Sequence, residues 1–193
     1  EQFFLWSKNL IRGDFGRSYY INRPVLSLIF ERIPVTISIA ILAELVAILL
    51  AIALGVFSAV KHNTIYDQLF MTIAVFGVSI ASFWLGIMFI LIFSVILRWF
   101  PVQGYVPIAE SFSGWIRHLI LPSVALGFRH SGLIARMTRS SMLEVLSADY
   151  IRTVRSKGLA EKDVVFKHAF KNSIIPVVTV IGLSFTALLV SCQ

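Results

Sequence analysis

Charge is what this 193-residue sequence has least of: Asp, Glu, Lys and Arg make up 14% of it, against 58% hydrophobic residues. A water-soluble domain carries roughly 25% charged and about 45–50% apolar residues. The deficit therefore excludes an ordinary soluble globule and points to lipid as the solvent. Cysteine is nearly absent too. The single residue, Cys192, permits neither an internal disulfide nor a thiolate metal cage, and it reads as a small hydrophobe in an apolar run. Acidic residues number 10 against 17 basic ones, for a net charge of +7. In so apolar a chain the basic excess fits loops on one side of a membrane, and nucleic acid is not expected as a partner. Also missing are a signal peptide, a phosphate-cradling glycine loop and any nucleophile–base constellation, so no catalysis is expected of the chain itself. It opens at Glu1 without methionine and stops at Gln193 in an apolar segment; it reads as the middle of a longer protein.

What is present is long apolar segments. A bilayer core about 30 Å thick needs roughly 20 apolar residues in a helix, and four stretches are predicted to cross, at about 35–60, 68–97, 118–137 and 173–191. The first carries one charge, Glu44. The second has none between Asp67 and Arg98, and at about 1.5 Å per residue it should tilt or protrude. The third is interrupted by Arg129 and His130. Helices follow because a backbone in lipid must satisfy its own hydrogen bonds, and barrel strands would be shorter and alternating. The expected fold class is all-α, a polytopic membrane helix bundle.

Loop charge sets the expected orientation. Residues 136–171 carry eight Lys and Arg, whereas 98–117 carry two. The positive-inside rule places loop 140–172 and the 61–67 turn in the cytoplasm, and residues 1–33 and 98–117 outside. Lys8, Arg12, Arg17, Arg23 and Arg32 pull the other way, diluted by Glu1, Asp14 and Glu31. Segment 1–33 reads as interfacial. Phe3, Phe4, Trp6, Leu10 and Ile11 cluster near its start, Pro24 opens a short helix, and Pro34 should bend the chain into the first span at the head of the 34–193 membrane domain.

Between Ser140 and Lys171 the pattern becomes that of two amphipathic helices. In residues 142–157 the apolar positions Leu143, Leu146, Tyr150, Ile151 and Val154 recur at three- and four-residue spacing. Gly158 should end that helix, with Arg155 and Lys157 in its last turn, where positive charge suits the dipole. A second helix is expected from Glu161 to about Phe170, with Asn172 and Pro176 leading into the last span. Such an elbow either packs on its own bundle or docks on another protein; spacing leaves both open.

The stretch Ser140-Ser-Met-Leu-Glu-Val-Leu-Ser-Ala-Asp-Tyr-Ile-Arg-Thr-Val-Arg-Ser-Lys-Gly158, continuing through Phe166-Lys-His-Ala-Phe-Lys-Asn-Ser-Ile-Ile-Pro176, resembles the cytoplasmic signature loop of ABC importer permeases. The likeness is closest to the dipeptide/oligopeptide/nickel branch of the binding-protein-dependent systems. Arg12-Gly-Asp-Phe-Gly-Arg-Ser18, Ser79-Ile-Ala-Ser-Phe-Trp-Leu-Gly86 and Ala135-Arg-Met-Thr-Arg-Ser-Ser141 extend it over nearly the whole chain. The resemblance implies a type I importer permease with a helix-Gly-helix coupling loop that docks on a separate ATPase. Carried over, the coupling residues are Asp149, Tyr150, Arg152, Thr153, Val154, Arg155, Lys157, Gly158 and Leu159. It further implies a second homologous permease subunit, two ATPase subunits that hold ATP and Mg, an extracytoplasmic substrate-binding protein, and a bacterial or archaeal plasma membrane. Short peptides are the implied substrate, with nickel or an oligosaccharide as alternatives. Three departures stand out. Arg152-Thr-Val154 replaces the Glu-Ala-Ala common in the wider superfamily. Ala81 stands where proline is common, removing a kink. One span is missing at each end.

Charges inside spans are costly and usually face a partner or a water path. Glu44, Arg129 and His130 are therefore candidates to line or brace the translocation path, Glu44 and Arg129 as a pair; a structural ion pair within the bundle is the plainer alternative. His130 as a metal ligand has no second ligand in the sequence to help it, and no metal site is expected. The rival reading of the whole chain is a membrane scaffold or sensor whose basic loop binds a soluble regulator. A membrane-embedded enzyme fits less well, since polar residues inside the spans are too few for a reaction centre.

Overall fold

The structure is a computed structural model in which residues 15–18 and 21–191 are described. The expected aromatic cluster at residues 3–11 and Cys192 lie outside the described residues. The chain divides into two compact units, Glu1–Ser38 and Ile39–Gln193.

In the first unit a short antiparallel bridge joins Arg17 and Pro24. The Ser18 N–H donates to the Arg23 carbonyl at 3.0 Å, and the Val25 N–H to the Gly16 carbonyl at 3.0 Å. Helix α1 (Val25–Val60) begins directly after Pro24, which cannot donate a backbone hydrogen bond and so suits a helix start. Pro34 does not bend the chain into a separate span, as the sequence suggested; it lies inside α1. Its fixed φ is helical and its cost is local, about 3 kcal/mol, which the long apolar helix beyond it carries.

The second unit is a bundle built on small residues. Along α1, Ala43, Ala47, Ala51, Gly55 and Ala59 recur every fourth position and all are buried. On α4 (Phe112–Ser147), Ser123, Gly127, Ser131 and Ala135 do the same. Lipid tails are as apolar as leucine, so helices in a membrane gain by close backbone approach rather than by hiding apolar surface. The approach here is tight. A Cβ on Gly127 would lie 2.6 Å from the Ala43 carbonyl oxygen, and one on Gly55 2.8 Å from the Ala135 oxygen.

Helix α2 (Ile65–Ser79) packs on the other side of α4, where Gly132 meets the Ala74 carbonyl and Gly77 meets Phe128. The expected single span at 68–97 is two pieces. Helix α2 ends at Ser79, and the chain turns by 99° into α3 (Ser82–Phe89), which continues as a π-helical segment, Ile90–Ile96. A straight helix of that length would overshoot the bilayer, and a bend resolves the mismatch instead of tilt. Ala81 removes no kink: its φ of −65° is the one proline would impose, and Ile80 is extended at ψ 134°, as a residue before proline would be.

Helix α4 starts at an N-cap in which the Ser111 hydroxyl accepts from the Gly114 N–H at 3.1 Å. It runs unbroken to Ser147, so residues 142–147, expected to open a separate amphipathic helix, are the last turns of α4 instead. The break falls at Ala148, extended at ψ 146°, and α5 (Asp149–Ser156) follows. Beyond Gly158, a turn at Glu161–Asp163 and a π-helical segment, Val164–Phe170, lead without interruption into α6 (Lys171–Ser191), with Pro176 inside it. The expected boundary between a loop helix and the last span is therefore absent, because the wide π turn absorbs the change of face that a break would otherwise make.

Two helical stretches, Val25–Val60 and Glu161–Val190, are long and apolar enough to cross a membrane, and the bent α2–α3 pair would make a third. Helix α4 is not among them. It packs against α2, α3 and α6, and Ser123, Ser131, Thr138 and Ser141 are buried in that packing while Arg117, Arg129 and Arg136 stay exposed. Apart from the Arg17–Pro24 bridge there is no strand pairing among the described residues, and the fold is all-α.

Candidate functional site: the 148–160 segment and the clusters behind it

Helix α5 is short and strongly two-sided. Ile151 is fully buried and Val154 half-buried, whereas Asp149, Tyr150, Arg152, Thr153, Arg155, Lys157, Gly158 and Leu159 are exposed. Ile151 anchors the helix in an apolar cluster with Val56 and Ala59 of α1, Met142 of α4, and Val164, Val165 and Ala169 of the π segment. The sequence-derived residues thus form one continuous surface, with Val154 turned partly inward.

Its geometry is held at both ends. Asn172 Nδ2 donates to the Tyr150 hydroxyl at 2.9 Å, tying the start of α5 to the start of α6. Gly158 adopts φ +78° with its amide donating to the Arg155 carbonyl at 3.0 Å. A residue with a Cβ would strain in that left-handed position by about 1–2 kcal/mol. Across this turn Arg155 Nη2 donates to Glu161 Oε1 at 2.7 Å. No spacing rule pairs these two residues; the glycine turn brings them together.

Behind the segment lies a cluster the sequence reading missed. Asp67, in the first turn of α2, is 4% exposed. Arg139 of α4 grips it with a fork, Nε donating to Oδ1 and Nη2 to Oδ2, both at 2.7 Å. The Ser58 hydroxyl also donates to Oδ1, and the Asn63 N–H to Oδ2 at 3.2 Å. His62 Nδ1 lies 3.2 Å from Asp67 Oδ2 and 3.1 Å from Arg139 Nη2. One ring nitrogen serves one of these at a time, accepting from Arg139 when Nδ1 carries no hydrogen or donating to Asp67 when it does. A partial signal existed: Asp67 is one of only three acidic residues between Glu31 and Glu144, with Glu44 and Glu110.

The mid-span residues separate. Glu44 and His130 come together through Ser184 of α6, whose hydroxyl lies 3.4 Å from Glu44 Oε2 and 3.2 Å from His130 Nδ1. Arg129 is exposed, and the suggested Glu44–Arg129 pair does not form. Adjacent positions on a helix point about 100° apart, so the turn that brings His130 inward carries Arg129 away. Glu44 Oε1 and His130 Nε2 are buried with no hydrogen-bond partner. No group of three or more His, Cys, Asp or Glu that could hold a metal occurs among the described residues.

The family described as the binding-protein-dependent transport system inner membrane component matches residues 51–192. A Brucella suis protein named as a peptide transport system permease is 48% identical over 95% of this chain and 59% of its own length. The dipeptide transport system permease protein DppB of Alkalihalophilus pseudofirmus is 44% identical over 94% of this chain and 61% of its own. The glutathione transport system permease protein GsiC of Escherichia coli is 43% identical over 98% and 59%. The chain thus spans about three-fifths of the length of these relatives. By the match over residues 51–192, the chain belongs to the family of binding-protein-dependent transport system inner membrane components.

Proposed function

We propose that this chain is the membrane-spanning core of an ATP-driven importer of short peptides, and that its 148–160 segment is the docking element for a separate ATPase subunit. The observation that carries the reading is the design of α5. One fully buried side chain, Ile151, fixes it, while eight of the nine sequence-derived docking residues stay exposed. An isolated helix this short is unstable in water; held at Ile151, Tyr150 and Gly158, it is preformed for a partner. Peptide is the substrate class because the relatives named above are permeases of peptide, dipeptide and glutathione systems.

The remaining parts follow from this reading. ATP and Mg reside on the ATPase pair, a second permease subunit completes the path, and an extracytoplasmic binding protein delivers peptide. Loop 140–172 faces the cytoplasm, and residues 1–33 and 98–117 face outward. On this reading Glu44 and His130 lie beside the path within the bundle, and Arg129, exposed on the same helix as His130, lines it. A scaffold or sensor would need neither ATPase nor binding protein.

The test is cross-linking in membranes with Arg152→Cys, whose native side chain is 81% exposed, in a Cys192→Ser background. A disulfide to a co-expressed ATPase subunit that changes with nucleotide is expected. A thiol that labels readily in the assembled complex yet gives no such adduct refutes the docking role and favours the scaffold.

A further inference from the structure

The cluster around Asp67 sits where two structural systems meet. The apolar cluster holding Ile151 joins α5 to the end of α1 and the end of α4, but contains no residue of α2. The Asp67–Arg139 fork supplies the missing link, fastening the first turn of α2 to α4. Arg139 lies nine residues before Ala148, with only continuous helix between it and Ser147; at about 1.5 Å per residue that is roughly 13 Å. The α1–α2 turn reaches the same place from the other side. His62 lines a cavity of about 280 Å³ together with Leu146, Arg155, Glu161 and Val165, so the turn and the end of α5 share one wall.

We propose that Asp67 and Arg139 are positioning residues of energy coupling: their fork locks the α1–α2 turn to α4, so that displacement of the 148–160 segment moves α1, α2 and α4 as one body. The inference rests on the transport reading above. A bidentate guanidinium–carboxylate pair suits this task because it fixes orientation as well as distance. Its second anchor, Ser58, lies on α1, so the three helices meet at one carboxylate. His62 touches both members and adds a second tie between turn and helix. Without the lock, α2 would still lie along α4 through Gly77 and Gly132, yet its loop-side end would be free to lag. Motion of α5 would then reach α4 without carrying the α1–α2 turn with it.

The discriminating variant is the neutral double substitution Asp67→Asn with Arg139→Gln. Removing both charges of a buried pair together is far milder than removing one, so the assembly should fold. The complex would be reconstituted in vesicles with its ATPase and binding protein and offered a mixture of di- to pentapeptides. Peptide imported and ATP hydrolysed would be measured side by side. The expected result is normal assembly and basal hydrolysis with import reduced at least tenfold, so that ATP consumed per peptide rises by the same factor. Arg139→Lys, which keeps the charge but cannot fork, should fall between. A wild-type ratio in the double variant overturns the inference, as does a proportional loss of import, hydrolysis and assembly, which marks a structural role alone. Wild-type vesicles that import no peptide with ATP overturn the transport reading and this inference with it; wild-type import beside an unaltered variant ratio overturns this inference only.

Discussion

Asp67 and Glu44 are both carboxylates on buried helix faces, 4% and 6% exposed, and their surroundings differ in kind. Asp67, at the loop end of the bundle, sits among Arg139, Ser58, the Asn63 amide and His62, with both oxygens engaged. Glu44, in the middle, has one long contact to Ser184 and an oxygen with no partner. The regions around them differ in the same way. The loop end is held by directional polar contacts and a cluster of larger apolar side chains, Met142, Ile151 and Val164 among them. The middle is held by shape, through alanine, glycine and serine faces pressed together. Polar geometry fixes positions one by one; a small-residue seam fixes them by close backbone approach. On the coupling proposed above, a pull through the 148–160 segment would act at the polar loop end, and the two carboxylates mark that end and the close-packed middle.

The largest expected effect breaks the rigid end. Arg139→Ala leaves the Asp67 carboxylate buried without its cation, a loss of about 3–5 kcal/mol for a buried pair. In detergent the variant should unfold well below wild type, and adding Asp67→Asn should recover most of the difference. A variant that melts with wild type would show the fork to be dispensable and remove the contrast. The next effect breaks the close-packed middle. Gly127→Ala drives a methyl within 2.6 Å of the Ala43 carbonyl and 2.9 Å of Val46 Cβ, for which overpacking costs about 1–3 kcal/mol. Because Ala43 adjoins Glu44, forcing α1 from α4 there should admit water. The readout is faster carbodiimide modification of Glu44 than in wild type, with Asp67 unchanged. Equal acceleration at both would mean that the two regions are not mechanically separate.

Much of this organisation was legible in the sequence, where one chemical rule acts locally. Gly158 announced its turn because few residues other than glycine tolerate φ +78°, and Leu146, Ile151 and Val154 marked an inward face by their spacing. The α1 seam repeats small residues every fourth position from Ala43 to Ala59, but in a segment apolar throughout only the packing against α4 singles it out. What the sequence could not fix were choices settled by neighbours. Pro34 read as a bend but lies within a helix, while Ala81 gave no hint of a 99° bend. The Met142–Ser147 stripe reads equally well as an independent helix or as the end of α4. Asp67 and Arg139 are 72 residues apart, beyond any spacing rule, and Arg129 beside His130 looked the better partner for Glu44 until the helix phase turned it outward.

The smallest expected effect is the one that sharpens the comparison most. Glu44→Gln keeps the volume and an oxygen that can accept from Ser184, and it adds an amide N–H where Oε1 now has no partner. No cation grips this carboxylate as Arg139 grips Asp67, so the substitution breaks no fork and strands no charge. Its cost should stay below about 1 kcal/mol, within the range of a single neutral hydrogen bond, against several for Arg139→Ala. Thermal unfolding of the two variants in the same detergent reads the difference directly. Near-equality would reveal a cationic partner for Glu44 and make the two clusters alike. A wide gap means that Glu44 contributes little to holding the fold, leaving its mid-span position to be explained by what passes or moves beside it, since a polar group inside a membrane span is costly to keep without use.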